Sequence, residues 1–201
     1  MRVIKQHDER DCGAACLAMV AAHYGLKIPI SQCRELTKTD KRGTNLYGLA
    51  EGAQKIGLSA QALSGSPAEL QESVQKGEIA FPIVAHIVSN DAMLHFVVVF
   101  SYKNGSFLIG DPAKGKVYVT EWTFYELWTG YILTFKKTDA FQPKNLTKGS
   151  FLKFLSLIRG QKKKFVGILA FSLAATAIGI AGAFVFQLVI DDFALDQGFY
   201  E

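Results

Sequence analysis

The sequence lacks any internal repeat, heptad pattern or low-complexity tract along its 201 residues. Coiled-coil, collagen-like and disordered proteins are therefore excluded. Hydrophobic residues make up 49% of the chain and charged residues 20%, which is enough apolar material for a packed core in one or two domains. The net charge of +4 is too small to indicate a nucleic-acid-binding protein, so we expect no nucleic-acid partner.

Cysteine is also scarce, and the three residues, Cys12, Cys16 and Cys33, all lie near the N-terminus. An odd number in a chain of this length excludes a disulfide-stabilised scaffold. Cys12 and Cys16 have no matching pair of histidines or cysteines downstream, so we expect no metal site. Residues 1–11 are too charged for the hydrophobic part of a secretory signal, and we expect the cysteines to stay reduced.

One long segment, residues 165–190, contains no charged residue. About 20 apolar residues span a bilayer, so this segment predicts a transmembrane helix. Three lysines precede it (Lys162, Lys163 and Lys164) and aspartates follow it, and the positive-inside rule places the preceding chain in the cytoplasm. Residues 141–150 indicate a linker, and residues 151–158 predict a short amphipathic helix at the membrane surface.

Helical periodicity dominates the first part of the chain and β-rich segments the second, which indicates an α+β fold with an antiparallel sheet. We predict helices over residues 12–24, 31–36, 45–56 and 66–76, and strands over residues 79–88, 95–102, 106–110, 116–122 and 131–137. Asp11 is expected to cap the first helix, and Ser66 begins a capping box. The Asn104-Gly105 pair predicts a hairpin turn.

Cys12 is the candidate nucleophile, because unpaired N–H groups and the positive end of the dipole at a helix N-terminus favour a thiolate. Cys16 and Cys33 are expected to be core residues. His95 opens a predicted strand, where its ring can point into a cleft and act as a base. Of the other histidines, His7 lies in the exposed N-terminal segment and His23 ends the first predicted helix. His86 is expected to be a core residue inside an apolar strand.

Two further residues complete a possible active site. Asp111 follows a hairpin that returns the chain beside His95, so its carboxylate could orient the imidazole. Gln6 lies six residues before Cys12, where its amide could stabilise an oxyanion together with the Cys12 backbone N–H. A solvated Gln6 and a chance triple of Cys, His and Asp remain the alternatives from these positions alone.

Residues 110–116 match most of a phosphate-binding loop. However, Val117 stands where the pattern requires Ser or Thr, and the residues after it favour a strand rather than a helix. We interpret the segment as a hairpin turn and expect no ATP binding by these 201 residues.

Residues 6–20, QHDERDCGAACLAMV, together with Tyr24-Gly25, resemble the cysteine motif of the C39 peptidases. Residues 95–99, followed by residues 110–112, resemble their histidine motif, and residues 124–130 are similar to the segment that closes that domain. The resemblance implies a papain-like cysteine peptidase fold over residues 1–137, with a helical N-terminal half and an antiparallel sheet in the C-terminal half. It further implies a linker with a short interfacial helix over residues 138–163, and the first transmembrane helix of an ABC exporter over residues 164–201.

These peptidases form the N-terminal cytoplasmic domain of bacteriocin-processing ABC transporters and cut leader peptides after a Gly-Gly pair. By this resemblance Cys12 is the nucleophile, His95 the general base and then acid, Asp111 the orienting group, and Gln6 part of the oxyanion hole. It implies a peptide precursor as substrate, the bilayer and the rest of a homodimeric transporter as partners, and a cell-membrane location. No cofactor is expected for the peptidase; ATP and magnesium would serve a nucleotide-binding domain that these residues do not include.

Two other functions fit the same resemblance. A degenerate domain of this kind holds a leader without cutting it, although the presence of Cys12, His95 and Asp111 favours an active enzyme. The chain could also be a self-standing peptidase anchored to the membrane. An apolar groove is expected to bind the helical leader; its possible contributors are Tyr24, Leu26, Leu46, Tyr47 and Phe96, although core packing explains each of them as well.

Overall fold

A computed structural model describes residues 3–89, 92–147 and 162–196, which belong to two compact units, residues 1–148 and residues 149–201. The described helices of the first unit are α1 (Cys12–His23), α2 (Ile30–Thr37), α3 (Leu46–Lys55), α4 (Pro67–Gln75) and α5 (Glu121–Leu127). Its strands are β1 (Leu58–Ser64), β2 (Ile83–Val88), β3 (Leu94–Lys103), β4 (Ser106–Asp111), β5 (Gly115–Thr120) and β6 (Trp128–Lys137). The second unit contains α6 (Lys162–Asp196).

The strands form one antiparallel sheet in the order β1-β6-β2-β3-β4-β5. Because successive side chains point to opposite faces, the sheet supports two cores. Val84, Phe96 and Leu133 share one core with α1, α2 and α3, whereas Val97 and Ile132 belong to the other core with residues of α4 and α5. The structure is a sheet between two helical layers, and the predicted α+β class is confirmed.

Helix α1 is the central helix of the first layer and is buried on every side from Cys12 to Ala21. Small residues let α2, α3 and β3 approach it closely, so a helix made mostly of Ala, Gly and Cys serves as the core. The N-terminus of this rigid helix carries Cys12, which holds the thiol in a fixed position.

Three elements differ from the sequence prediction. No element was predicted where β1 lies; β1 is an edge strand with mostly exposed side chains, and it gains its order from backbone pairing with β6. Helix α5 begins where a strand was predicted to continue through Trp122, because the Thr120 hydroxyl accepts from the Thr123 N–H and starts a helix. The predicted strand over residues 79–88 begins only at Ile83.

In the second unit, residues Lys163–Asp192 of α6 form a helix that is long and apolar enough to cross a membrane. This agrees with the transmembrane helix predicted from the sequence. The predicted interfacial helix over residues 151–158 lies outside the described residues.

Candidate active site

Cys12 is the first residue of α1 and is only 7% exposed. The first backbone hydrogen bond of the helix runs from the Ala15 N–H to the Asp11 carbonyl, so the N–H groups of the opening turn are free to face a ligand. The prediction that Asp11 caps α1 is wrong: its side chain accepts no hydrogen bond from the described helix. The fully buried Asp11 carboxylate instead pairs with Arg34 of α2, with Nε 3.2 Å from Oδ1.

His95 and Asp111 are brought together by the β3–β4 hairpin, as the sequence predicted. His95 Nε2 donates to Asp111 Oδ1 over 2.9 Å, and both side chains are nearly buried. The same Oδ1 accepts from the backbone N–H groups of Ala113 at 2.7 Å and Lys114 at 3.3 Å. The turn that follows Asp111 therefore fixes the carboxylate, and the carboxylate fixes the ring.

The surroundings of His95 and Asp111 shift the pKa values of both side chains. Burial disfavours the charged form of His95, but the hydrogen bond to Asp111 and the interaction with Cys12 outweigh burial and raise the pKa of His95 to about 9. Because Nε2 is occupied by Asp111, Nδ1 is the ring nitrogen left to interact with the Cys12 thiol. Burial opposes the charge of Asp111 as well, yet the bonds from His95 and Ala113 lower the pKa of that carboxyl below its usual range.

The Gln6 backbone is hydrogen-bonded to the turn that follows Asp111. Its N–H donates to the carbonyl of Pro112 over 3.0 Å, which ties the N-terminal segment to the turn that holds Asp111. The Gln6 Oε1 atom is buried without a hydrogen-bond partner among the described residues. A buried amide oxygen without a partner is uncommon, and a role in binding or catalysis is one explanation for it.

A cleft of about 770 Å³ opens beside Cys12; most of its exposed surface is apolar, and the charged residues Glu9, Arg10 and Arg42 also line it. Its lining includes Cys12, Leu46, His86, Met93, Leu94, Phe96, Thr129 and Tyr131. Leu46 and Phe96 were among the predicted groove residues. The other members of that set lie elsewhere: Leu26 is in the core, Tyr24 donates its hydroxyl to the Phe135 carbonyl, and Tyr47 lies in a neighbouring polar hollow.

Sequence reasoning missed His86, Thr129 and the exposed pair Met93 and Leu94 in this cleft. His86 was expected in the core, but it is half-buried and reaches the cleft wall. The signal that could have found it is Gly130, since an isolated glycine in a strand pattern indicates a bulge.

The remaining cysteines are unsuited to nucleophilic attack. Cys16 and Cys33 are both fully buried, as predicted. Burial, together with the nearby Cys12 and Asp111, raises the pKa of the Cys16 thiol well above its usual value, and burial raises the pKa of Cys33 to about 12. Residues 110–116, the near-match to a phosphate loop, form the turn between β4 and β5, as predicted.

Comparisons with known proteins decide the family. Residues 1–140 match the model of the Peptidase C39 family. The chain belongs to the C39 peptidase family. Among curated C39 relatives, it is 35% identical to the lactococcin-G-processing and transport ATP-binding protein LagD of Lactococcus lactis over 98% of its own length. It is 32% identical to the transport/processing ATP-binding protein ComA of Streptococcus pneumoniae over 96% of its length.

Solved C39 structures match the first unit. The peptidase domain of Streptococcus ComA superposes with a TM-score of 0.62 at 30% identity, over 68% of this chain and 98% of that domain. A double-glycine-motif protease from an AMS/PCAT transporter, solved with its leader peptide, gives 0.60 at 36% identity over 68% and 91%. The chain spans about a quarter of the curated relatives it matches, 26% of LagD and of ComA.

Proposed function

We propose that residues 1–148 are an active cysteine endopeptidase that cuts precursor peptides after a Gly-Gly pair in their leader. The observation that carries this proposal is the Cys12–His95–Asp111 arrangement: the Cys12 thiol begins a helix and interacts electrostatically with the His95 imidazole, which the Asp111 carboxylate orients at 2.9 Å. The names of similar proteins supply the substrate class, because one is a double-glycine-motif protease solved with a leader peptide.

The proposed mechanism uses side chains of this chain alone, without a cofactor. His95 accepts the proton of the Cys12 thiol, and the resulting imidazolium stabilises the thiolate. Sulfur attacks the carbonyl carbon of the second glycine, and the carbonyl oxygen takes up the negative charge. His95 then donates its proton to the leaving amine, and water hydrolyses the thioester with His95 acting again as base.

The oxyanion is proposed to bind between the Cys12 backbone N–H and the Gln6 side chain. The free N–H groups in the opening turn of α1 supply one donor. The Gln6 backbone is held by Pro112, which keeps the residue beside the site. Its side-chain amide can turn its NH₂ group toward the same point, because Oε1 has no hydrogen bond to lose. Asp11 does not compete for these N–H groups, because its carboxylate faces Arg34.

We also propose that the chain works as the N-terminal part of a homodimeric ABC exporter in the cell membrane, with the peptidase in the cytoplasm. The match to LagD extends through the apolar helix α6 as well as the peptidase unit. ATP and magnesium would serve the transport step in other parts of such a protein. The lipid bilayer is the partner of α6 in this proposal, and no nucleic acid is involved.

The test incubates the 201-residue chain in detergent micelles and reducing buffer with a synthetic peptide that carries a helical leader and a Gly-Gly junction. Mass spectrometry should show one cut, after the second glycine. Cys12→Ala should abolish the cut, whereas Cys33→Ala, which removes a buried thiol from α2, should retain it. Leader binding without a cut by the wild-type chain would instead establish a docking module.

A further inference from the structure

Strand β6 carries a bulge directly opposite His86. Ala85 pairs with Ile132 and Ile87 pairs with Trp128, so three residues of β6 oppose the single residue His86 of β2. Gly130 at the centre of the bulge has a φ of +88°, a conformation that favours glycine. Bulges of this kind change the direction of side chains and are frequent beside active sites.

His86 still pairs with Phe96 of β3, but on the β6 side the bulge replaces backbone pairing with two hydrogen bonds to one hydroxyl. Thr129 Oγ1 donates to the His86 carbonyl over 3.0 Å. The same oxygen lies 2.7 Å from His86 Nδ1. A threonine hydroxyl has a single proton, which the carbonyl already receives, so Nδ1 must be the donor in the second bond. This fixes the tautomer with the proton on Nδ1 and leaves a lone pair on Nε2.

The Nε2 lone pair is held in place. The Phe96 ring packs against the imidazole with 4.9 Å between ring centroids, which limits rotation of the ring. Burial and the nearby His95 lower the pKa of His86, so the ring stays neutral at physiological pH and keeps its acceptor. No described residue donates a hydrogen bond to Nε2, and His86 lines the cleft that also contains Cys12.

A peptide that enters this cleft beside His86 brings backbone N–H groups against the apolar side chains of Met93, Leu94 and Phe96, which line it there. Each of them loses its water and costs free energy unless an acceptor replaces that water. We infer that His86 binds the substrate: its Nε2 atom accepts a hydrogen bond from one backbone N–H of the peptide seated beside Cys12. This inference rests on the proposed peptidase function and adds to it a residue that selects an extended peptide backbone.

The test removes substrate N–H groups one at a time. A series of Gly-Gly peptides is made in which single amides on either side of the cut, but not the scissile one, are replaced by esters. The wild-type chain, His86→Phe and His23→Phe are compared on each peptide. His86→Phe keeps an aromatic ring against Phe96, and His23→Phe is the matched control, since His23 lies outside the cleft.

We expect one ester to raise the KM of the wild-type chain and of His23→Phe by about tenfold, with kcat nearly unchanged. His86→Phe should show that raised KM already with the all-amide peptide, and no further loss with that ester. An ester penalty in His86→Phe equal to that of the wild-type chain at every position would overturn the inference. Imidazole nitrogen shifts in NMR of the wild-type chain check the tautomer, and a proton on His86 Nε2 would also overturn it.

Failure of the peptidase proposal is distinguishable from failure of this one. If the wild-type chain cuts no peptide, the same amide and ester series is measured by calorimetric binding to Cys12→Ala and to Cys12→Ala with His86→Phe. Loss of the ester penalty in the second protein supports the role of His86 without any cleavage. Equal penalties, or no binding of any peptide, contradict that role.

Discussion

Asp111 concentrates its interactions on one carboxylate oxygen. Oδ1 accepts from His95 and from two backbone N–H groups of the following turn, while the side chain is almost inaccessible to water. The pKa of His95 is raised and that of Asp111 is lowered, as expected for a pair that stabilises opposite charges. Asp111 thus has two separable effects on His95, orientation of the ring and stabilisation of its positive charge.

Asp111→Asn should separate these two effects. The amide oxygen can still accept from Nε2, so we expect kcat to fall by about tenfold to a hundredfold, far less than with Cys12→Ala. Proton donation to the leaving amine needs protonated His95, so wild-type activity should decline as the pH rises through about 9. Loss of the carboxylate removes a cause that raises this pKa. The alkaline limb should therefore move to lower pH, by roughly one unit, in a kcat/KM profile.

A matched control for this change is Glu121→Gln, which converts a carboxylate to an amide at a residue bonded to Tyr102 and Tyr125. Its alkaline limb should coincide with that of the wild-type chain. A limb that stays near pH 9 in Asp111→Asn would show that Asp111 does not set the charge of His95.

Gln6→Ala tests the proposed oxyanion hole. The amide is expected to bind the charge that develops on the carbonyl oxygen. Its loss should therefore remove about 2–4 kcal/mol of transition-state stabilisation, which lowers kcat and changes KM little. Steady-state kinetics on the Gly-Gly peptide measure both parameters. Gln61→Ala, on the exposed edge strand β1, serves as control. An unchanged kcat in Gln6→Ala would remove this residue from the site.

At the scale of elements, the sequence was informative where local chemistry decides the structure. Asn45 and the Ser66 capping box begin α3 and α4 as predicted. Strand β1 could not be found in this way, because a strand with mostly exposed side chains has no apolar alternation and depends on its distant partner β6. Edge strands of this type are recognised only when the pairing is known.

In the candidate site too, features set by neighbouring residues could be predicted, and features set by distant residues could not. The His95–Asp111 pair could be predicted because a tight Asn-Gly hairpin connects their strands. The roles of Asp11 and His86 could not, since each depends on a residue remote in sequence. Arg34 draws the Asp11 carboxylate away from the helix end, and the β6 bulge aims His86 at the cleft. Such long-range contacts carry no local sequence pattern.

Gly13 shows how α1 is fitted to the cleft wall. A Cβ at this position would lie 2.6 Å from Thr44 Cβ, so the loop before α3 packs directly on the helix next to Cys12. Gly13→Ala should therefore displace Thr44, which lines the cleft, and destabilise the chain by about 1–3 kcal/mol. Urea unfolding and the KM for the Gly-Gly peptide measure the two effects.

A double-mutant cycle provides the control for this prediction. Thr44→Gly removes the atoms that an alanine at position 13 would meet, so Gly13→Ala should cost less in that background than in the wild-type chain. Equal costs in the two backgrounds would contradict the proposed steric contact.

For the whole molecule, the arrangement of charge around α6 predicts its orientation. The uncharged residues 165–190 of α6 are preceded by three consecutive lysines, Lys162 to Lys164, and followed by Asp191 and Asp192. Cytoplasmic loops retain lysine and arginine near the membrane, so the peptidase unit should stay in the cytoplasm and the end of α6 should face outside. A peptidase that processes precursors before export requires this arrangement.

Reporter fusions in a bacterial host measure that orientation. Alkaline phosphatase, which is active only outside the cytoplasm, should be active when fused after Glu201 and inactive when fused after Thr147. Green fluorescent protein should give the reverse pattern, since it fluoresces in the cytoplasm. Replacing Lys162, Lys163 and Lys164 with Ala should weaken the preference, because these charges hold the N-terminal side in place. Phosphatase activity at the Thr147 fusion of the unaltered chain would place the peptidase outside and contradict its proposed role in the cytoplasm.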